Sequence, residues 1–316
     1  MIHKLLFCII LTLSLNAFSQ TRIAGTTYTH FQVKLKNDAI DFVIADTNLT
    51  ITKPLLLFCQ GSLPTPLFID FGENDIWPVQ LNNFDIEELN KDYHVAVISM
   101  PKTPLILGKE QLNSNYHYVT DTSDQNSYST EFLRANYLEN YVNRANKVLK
   151  FLKKQKWIDS DKIVVAGHSQ GAPIAKQIAL ENKTVSKLGL FGFNPFGRLD
   201  QFVRQARLNA QLGYITWEKA DSIMNYLYDE YKSYDNPDSL KQNPHLTGQK
   251  SFSKPYINDL LKLKIPIYIA YGTEDITSDL CDLMPLLFLA EGKNNLTVKR
   301  YIHLEHNFLR LMRKVE

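Results

Sequence analysis

Short runs of apolar residues, spaced along most of the chain, constrain its fold more than any other feature. Five of them contain no charged residue, at 55–59, 95–98, 163–166, 188–191 and 265–270. Runs of this length are typical of strands buried on both faces, as in a parallel sheet covered by helices. A sixth strand, predicted at 296–302, closes the series.

Helical periodicity fills the intervals between these runs. Between the second and third runs, apolar residues recur at helical spacing from Leu138 to Leu152, which predicts a long amphipathic helix over about 130–156. A second apolar stripe predicts a helix at 172–181. Alternation of buried strands with such helices indicates parallel β-α-β units. The predicted fold class is therefore α/β, with a mostly parallel sheet and helices on both faces.

Two segments depart from this alternation. Residues 26–46 show the pattern of antiparallel strands around a turn at Asn37 and Asp38, and the sequence assigns them no role. Residues 197–264 carry two helical patterns and many tyrosines where one crossover is expected. We interpret 197–264 as a helical cap inserted into a single domain that spans 20–316. Alternatively, its aromatic residues pack the segment onto the main sheet.

The first nineteen residues have the pattern of an export signal. A cationic start that includes Lys4 precedes an apolar stretch at 5–15, and Ala17 and Ser19 are small residues before a cut at Gln20. The apolar stretch is too short for a comfortable membrane span. We therefore expect a secreted or periplasmic protein with no integral membrane span after cleavage.

Composition and charge exclude several other classes. The chain has 316 residues, of which 44% are hydrophobic, and its 35 basic and 33 acidic residues give a net charge of +2. This composition is that of a globular protein, and the balanced charge gives no reason to expect a nucleic-acid partner. Two cysteines remain after cleavage, Cys59 and Cys281; they form one disulfide or, as we favour, two buried thiols.

The segment Gly167-His168-Ser169-Gln170-Gly171 carries the clearest chemical signal. It follows a predicted buried strand directly and precedes a predicted helix. A Gly-x-Ser-x-Gly turn in this context places the serine in a strained conformation with its hydroxyl exposed. Ser169 is thus a candidate nucleophile; the other interpretation is a serine that caps the helix.

A serine nucleophile needs a base and an acid, which here follow in the order acid then histidine. The fifth run ends in a loop that contains Asp275, our candidate acid, with Glu274 and Asp279 as rivals. His306 lies in a loop after the sixth strand, before a predicted helix at 309–315, and is our candidate base. Its rival is His303. These two histidines lack a third ligand at a recognised spacing, so we expect neither a metal nor another cofactor.

Acyl transfer also needs donors for a developing oxyanion. The backbone N–H of Gln170, which follows the nucleophile, is one candidate. The second is the N–H of Ser62, because Gly61 allows the loop after the first buried run to turn inward. The alternative is an ordinary strand-to-helix turn without a catalytic role.

Together these pieces resemble the α/β-hydrolase superfamily, especially its dienelactone-hydrolase and prolyl-oligopeptidase-like members. The resemblance rests on the segments 60–62, 156–159, 167–171, 271–275 and 306–308. It implies a triad of Ser169, Asp275 and His306, with Gln170 and Ser62 as oxyanion donors. Two positions depart from the pattern, since Gln60 stands where members often carry histidine and His303 where they often carry a small residue.

The sequence therefore predicts an exported serine hydrolase that acts on a small-molecule acyl substrate, with carboxylic esters as the default. Amides or short peptides are alternatives, because a triad does not distinguish them. A non-catalytic protein that binds a ligand under the cap is the alternative from another class. Nothing in the sequence defines the oligomeric state.

The signal segment makes a direct prediction about the exported protein. Expression in a Gram-negative host, followed by sequencing of the amino terminus, should give a chain that begins at Gln20, because small residues precede that position. An Ala17→Leu variant should block or shift this cleavage. A wild-type chain that starts at Met1 would contradict the prediction.

Overall fold

The computed structural model of the chain describes residues 20–36, 38–73, 75–79 and 84–310; the predicted signal segment at 1–19 lies outside them. The strands are β1 (Thr21–Arg22), β2 (Thr29–Lys34), β3 (Ala39–Ile44), β4 (Lys53–Cys59), β5 (Phe68–Asp70), β6 (Ile76–Pro78), β7 (His94–Ile98), β8 (Ile106–Gly108), β9 (Ile158–His168), β10 (Val185–Phe191), β11 (Ile267–Gly272) and β12 (Leu296–Tyr301).

The α-helices lie mostly between the later strands. They are α1 (Ile86–Asp92), α2 (Thr130–Ala135), α3 (Leu138–Leu152), α4 (Gly171–Glu181), α5 (Arg198–Gln211), α6 (Trp217–Ser233), α7 (Pro237–Gln242), α8 (His245–Phe252), α9 (Ile257–Lys262) and α10 (Met284–Ala290). None of the helices in the described ranges is long and apolar enough to cross a membrane.

The main sheet has the strand order β1-β2-β3-β7-β4-β9-β10-β11-β12. Neighbours from β7 to β12 run parallel, and all six predicted strands lie in this part. The apolar stripes of α3 and α4 pack on the sheet, where Val148, Leu149 and Ile178 are fully buried. The predicted α/β fold class with a mostly parallel sheet is confirmed.

The segment that the sequence left without a role extends this sheet. Strands β2 and β3 pair antiparallel with each other, and β3 pairs antiparallel with β7. Phe31 and Phe42 stack with ring centres 5.4 Å apart and join the main core. Residues 26–46 thus shield the edge of β7, which would otherwise expose unpaired backbone groups. Asn37, in the predicted turn, lies outside the described residues.

The predicted single helix over 130–156 is wrong, because it is interrupted at Asn136 and ends at Leu152. Helix α8 packs against the chain at this interruption, since a Cβ on Gly248 would lie only 2.4 Å from the Asn136 carbonyl oxygen. The Ser251 hydroxyl accepts a hydrogen bond from the backbone N–H of Leu138 at 3.0 Å. The break therefore depends on residues more than a hundred positions away, which helical periodicity cannot show.

The segment 197–264 contains five helices, α5 to α9, where the sequence indicated two. Helices α5 and α6 pack on each other through a small cluster that includes Ala206, Ala210 and Ala220. Phe252 and Tyr256 join the main core, but most aromatic side chains of this segment are exposed, among them Tyr214 at 75% and Tyr226 at 67%. The predicted helix at 309–315 does not begin where expected, since Arg310 forms a β-bridge with Leu304; residues 311–315 lie outside the described chain.

Both cysteines in the described chain are buried free thiols, as the sequence favoured. Burial raises the pKa of Cys59 to about 12. The Cys281 thiol donates to the carbonyl oxygen of Phe193 at 3.1 Å. They act as small apolar core residues.

The turn from β9 into α4 depends on two glycines that leave room for neighbouring backbone. A Cβ on Gly171 would lie 1.9 Å from the carbonyl oxygen of Cys59, and one on Gly167 would lie 2.1 Å from the carbonyl oxygen of Gly171. These close approaches bring the start of α4 against the end of β4. They also fix the position of Ser169, the middle one of the three residues between these glycines.

We expect Gly171→Ala to lower the free energy of unfolding by about 3 kcal/mol or more, because the added methyl overlaps a main-chain oxygen that cannot rotate away. Urea denaturation measures this loss. Gly61→Ala is the matched control, since its Cβ would lie 3.8 Å from the nearest atom, and should cost less than about 1 kcal/mol. Equal free energies of unfolding for the two variants would contradict the close packing of Gly171 against Cys59.

Candidate active site

Ser169 lies at the tip of the turn between β9 and α4, with a φ of +54°. This left-handed conformation is unfavourable for a residue with a Cβ and persists only where its surroundings enforce it. Its N–H donates to the Phe191 carbonyl at 2.9 Å, and its carbonyl accepts from the Ala172 N–H at 3.0 Å. The hydroxyl is thereby held above the carboxyl ends of the parallel strands.

Two loops from neighbouring strands bring His306 and Asp275 to this hydroxyl. Ser169 Oγ lies 2.9 Å from His306 Nε2, and His306 Nδ1 lies 2.8 Å from Asp275 Oδ2. Asp275 follows β11 and His306 follows β12, so the three side chains come from strands that end at the same edge of the sheet. The structure thus places the three predicted triad residues in one hydrogen-bonded line.

The ionisation of Asp275 determines which nitrogen of His306 carries a proton. Burial by itself would raise the pKa of Asp275, but hydrogen bonds and charge from His306, with hydrogen bonds from Ser278 and Thr277, lower it to about 2. An ionised carboxylate only accepts, so Nδ1 of His306 carries the proton and Nε2 is free to accept from the serine. His306 therefore has the tautomer that a general base requires.

Asp275 is held by hydroxyl groups that the sequence analysis missed. Ser278 Oγ donates to Asp275 Oδ2 at 2.6 Å, and Thr277 Oγ1 donates to Oδ1 at 2.6 Å. Asp275 is only 3% exposed, so these bonds replace the water that a carboxylate needs. A Thr-Ser pair that begins two residues after the acidic residue is the sequence signal that could have identified them.

The rivals considered from the sequence face other partners. His303 Nδ1 lies 3.3 Å from Glu274 Oε1, and both belong to the outer part of the loops. Asp279 forms an ion pair with Arg204. The structure therefore brings none of these three side chains to Ser169 Oγ.

His168, the residue directly before Ser169, holds the loop that contains His306. Its Nε2 donates to the carbonyl oxygen of His306 at 2.9 Å. Burial lowers the pKa of His168, which keeps this ring neutral. Gly192 makes room for both rings, because a Cβ there would lie 3.1 Å from His168 Nε2 and from His306 Cε1. No motif in the sequence indicates this role of His168.

The predicted oxyanion donors flank the nucleophile. Gln170 is the N-cap residue of α4, so its backbone lies at the positive end of that helix. Gly61 approaches Ser169, and the next residue, Ser62, lines the same cleft as the serine. Gln60 turns away, since its Nε2 donates to the Ile98 carbonyl at 2.7 Å.

A cleft of about 440 Å³ opens above Ser169 between the main sheet and the helices of 197–264. It is lined by Ser62, Leu63, Asn136, Ser169, Gln170, Pro173, Gly192, Asn194, Gly197, Arg198, Gln201, Phe202, His245, Gln249, Phe252, Tyr256, Thr277 and His306. Several of these come from α5 and α8, which no motif in the sequence connects to the nucleophile. No group of three or more metal-binding side chains occurs among residues that the structure describes.

Comparison with known proteins finds no matching family model and no matching curated protein. Among solved structures, Porphyromonas gingivalis dipeptidyl peptidase 4 is similar, with a TM-score of 0.52 and 11% identity over 89% of this chain and 32% of that chain. A puromycin-hydrolyzing peptidase of Mycobacterium tuberculosis gives a TM-score of 0.52 and 10% identity over 89% and 36% of the two chains.

A Klebsiella pneumoniae protein provisionally named a dienelactone hydrolase is similar over almost its whole length. Its TM-score is 0.50 at 10% identity, over 88% of this chain and 86% of that chain. The present chain spans about a third of the length of the two peptidases. These similarities define the fold: the chain has the α/β-hydrolase fold that its sequence resembled.

The low pKa of Asp275 predicts how stability depends on pH. Because the folded value of about 2 lies below the ordinary 3.8, ionised Asp275 stabilises the folded chain above about pH 4, by about 2 kcal/mol. This contribution is lost as the pH falls from about 4 to 2. Asp275→Asn should therefore be less stable at pH 7 by roughly that amount and show a shallower loss below pH 4, in urea denaturation at each pH.

The control for this experiment is Asp221→Asn, which alters an exposed carboxylate on α6. It should change the unfolding free energy by no more than about 0.5 kcal/mol and leave its pH dependence intact. An Asp275→Asn protein with the acid sensitivity of wild type would refute the assigned ionisation.

Proposed function

We propose that the chain is a serine hydrolase that cleaves carboxylic esters through Ser169, His306 and Asp275 and an acyl-enzyme intermediate. The observation that carries the proposal is the continuous line from Ser169 Oγ to His306 Nε2 at 2.9 Å and from His306 Nδ1 to Asp275 at 2.8 Å. This line has the order and spacing of a nucleophile, a general base and an orienting acid. It also opens into a cleft large enough for a small acyl substrate.

Acylation begins when His306 Nε2 accepts the Ser169 proton as Oγ attacks the ester carbonyl carbon. The carbonyl oxygen becomes an oxyanion, which the backbone N–H groups of Gln170 and Ser62 are proposed to stabilise. His306, now protonated, gives its proton to the departing alcohol oxygen. The ester bond breaks, and the acyl group stays on Ser169.

Deacylation repeats these steps with water as the nucleophile. His306 Nε2 takes a proton from water, which attacks the acyl carbon, and then returns a proton to Ser169 Oγ as the carboxylic acid leaves. Asp275 stays ionised throughout and stabilises the imidazolium that forms twice in each cycle. Its three hydrogen bonds from Ser278 and Thr277 keep the carboxylate in place.

Esters are favoured over peptides with a free amino terminus. Recognition of an ammonium group inside a protein requires an opposing carboxylate or an equivalent set of acceptors. The residues that line the cleft, within the described chain, include neither aspartate nor glutamate. The similarity to two peptidases concerns the fold, so it adds no argument for peptide substrates.

We also propose that the enzyme is exported. The support is the cationic, apolar and small-residue pattern of the first nineteen residues. The chain then consists of a signal at 1–19 and one domain at 20–316, with a cap at 197–264. The mature enzyme then meets its substrate in a periplasm or outside the cell.

Covalent labelling tests the proposed nucleophile. A neutral alkyl fluorophosphonate should modify wild-type protein at Ser169, located by mass spectrometry of the peptides, and Ser169→Ala should remain unlabelled. The same variant should lose about 10⁴-fold or more in kcat on 4-nitrophenyl butyrate, because the nucleophile is absent. Ser222→Ala, which removes an exposed hydroxyl on α6, is the control with a normal labelling rate.

The two histidines provide a second, internal comparison. His306→Ala should abolish labelling, whereas His303→Ala should retain it, since His303 faces Glu274 and is exposed. Folded protein that resists the probe would exclude the enzyme and favour a ligand-binding role. A larger loss in His303→Ala than in His306→Ala would show that the base is misassigned.

A further inference from the structure

Among the residues that the structure describes, Arg198 is the one arginine that lines the cleft above Ser169. It is the first residue of α5, and its Nη2 donates a hydrogen bond to the side-chain oxygen of Gln170. Nη1 approaches Gln249 Oε1 at 3.5 Å, and the guanidinium lies over the Phe252 ring, 4.9 Å from its centre. Neutral groups therefore hold this cation in place.

The charge around Arg198 is not balanced within the part of the chain that the structure describes. None of the ion pairs formed there includes Arg198, and the lining of its cleft contains no carboxylate. By contrast Arg204, on the same helix, pairs with both Asp200 and Asp279. Glu230, in the adjoining cavity, accepts a hydrogen bond from the Tyr234 hydroxyl at 2.9 Å.

A cation that is buried among neutral groups lowers the stability of the folded chain unless an anion binds beside it. Burial lowers the pKa of Arg198, while Tyr256, Tyr141 and Tyr234 act in the opposite direction, and a guanidinium stays charged at neutral pH. Its planar fork of donors matches the two oxygens of a carboxylate. A ligand carboxylate in the cleft would supply the missing negative charge.

We propose that Arg198 binds a carboxylate on the substrate, so that the enzyme acts on esters whose acyl or alcohol part carries a negative charge. This inference rests on the proposed function. Gln170 links the two sites, because its backbone N–H is a proposed oxyanion donor and its side chain accepts from Arg198. The carboxylate therefore lies one glutamine side chain away from the reacting carbonyl group.

The preference for charged substrates is measured with two matched pairs of esters. Monomethyl and dimethyl glutarate differ in charge on the acyl side, and 4-acetoxybenzoate and its methyl ester differ on the alcohol side. Wild type should show a higher kcat/KM for the anionic member of at least one pair. Arg198→Gln should lower the ratio of anionic to neutral kcat/KM by ~10-fold or more, mainly through KM, and Arg198→Lys should restore part of it.

Arg207→Gln is the matched control, because it removes the same charge from the outer face of α5, where Arg207 lies over Trp217. Its ratio should equal that of wild type. An unchanged ratio in Arg198→Gln, or an equal loss on both members of each pair, would overturn the inference and leave Arg198 as a residue that only holds Gln170.

Labelling by the neutral fluorophosphonate separates this failure from failure of the proposed function. Wild type that is labelled at Ser169 but shows no preference for anionic esters refutes the carboxylate site alone. Wild type that is not labelled at Ser169 refutes both, because no acyl-enzyme then forms. Labelling together with an Arg198-dependent preference supports both.

Discussion

The left-handed turn at Ser169 is the constraint on which the rest of the site depends. A serine at φ +54° is held there by hydrogen bonds to Phe191 and Ala172, and the turn is open to it because Gly167 and Gly171 lack side chains. The same close packing brings the end of β4 against the start of α4. The strained backbone at Ser169 thus determines the direction of its hydroxyl group and the position of the Gln170 backbone. It also determines how close the turn lies to the loop that contains Ser62.

The second half of the site is an electrostatic arrangement around a buried carboxylate. Asp275 tolerates burial because Thr277 and Ser278 donate to it and His306 donates from the third side. His306 is in turn fixed from two directions, at Nδ1 by Asp275 and at its carbonyl oxygen by His168. Since His168 adjoins Ser169 in the chain, this hydrogen bond and the one between Ser169 and His306 join the Ser169 turn to the histidine loop.

The sequence predicted those parts that depend on local pattern. Apolar runs identified the parallel strands, and the Gly-x-Ser-x-Gly turn between a strand and a helix identified Ser169 with its order of partners. The loops after β11 and β12 followed from the same logic, since carboxyl ends of parallel strands share one edge of the sheet. The choice of His306 over His303 as the candidate base followed from their relation to the end of the sixth strand, and it is His306 that lies beside Ser169 Oγ.

Other parts were beyond prediction because distant residues determine them. The helix is interrupted at Asn136, where Gly248 and Ser251 of α8 contact the chain. The spacing of apolar residues near Asn136 cannot predict contacts with such distant residues. The number of helices in 197–264 was underestimated because three of them, α7, α8 and α9, have only six to eight residues. Helices this short carry too few apolar positions to define a stripe.

On the proposed function, reactivity and substrate selectivity belong to different parts of the chain. The residues of the proposed triad and the hydroxyl groups that hold Asp275 follow strands of the main sheet, whose backbone hydrogen bonds fix their positions. Arg198, Gln249 and Phe252, which line the cleft, lie on helices α5 and α8 and contact one another. Arg198 makes its contacts with Gln170, Gln249 and Phe252, whereas Arg204 of the same helix donates to the carbonyl oxygen of Ile276, next to Asp275. The Gln170 side chain accepts a hydrogen bond from Arg198 and its backbone adjoins Ser169, so in the proposed mechanism Gln170 connects the substrate carboxylate to the reacting carbonyl group.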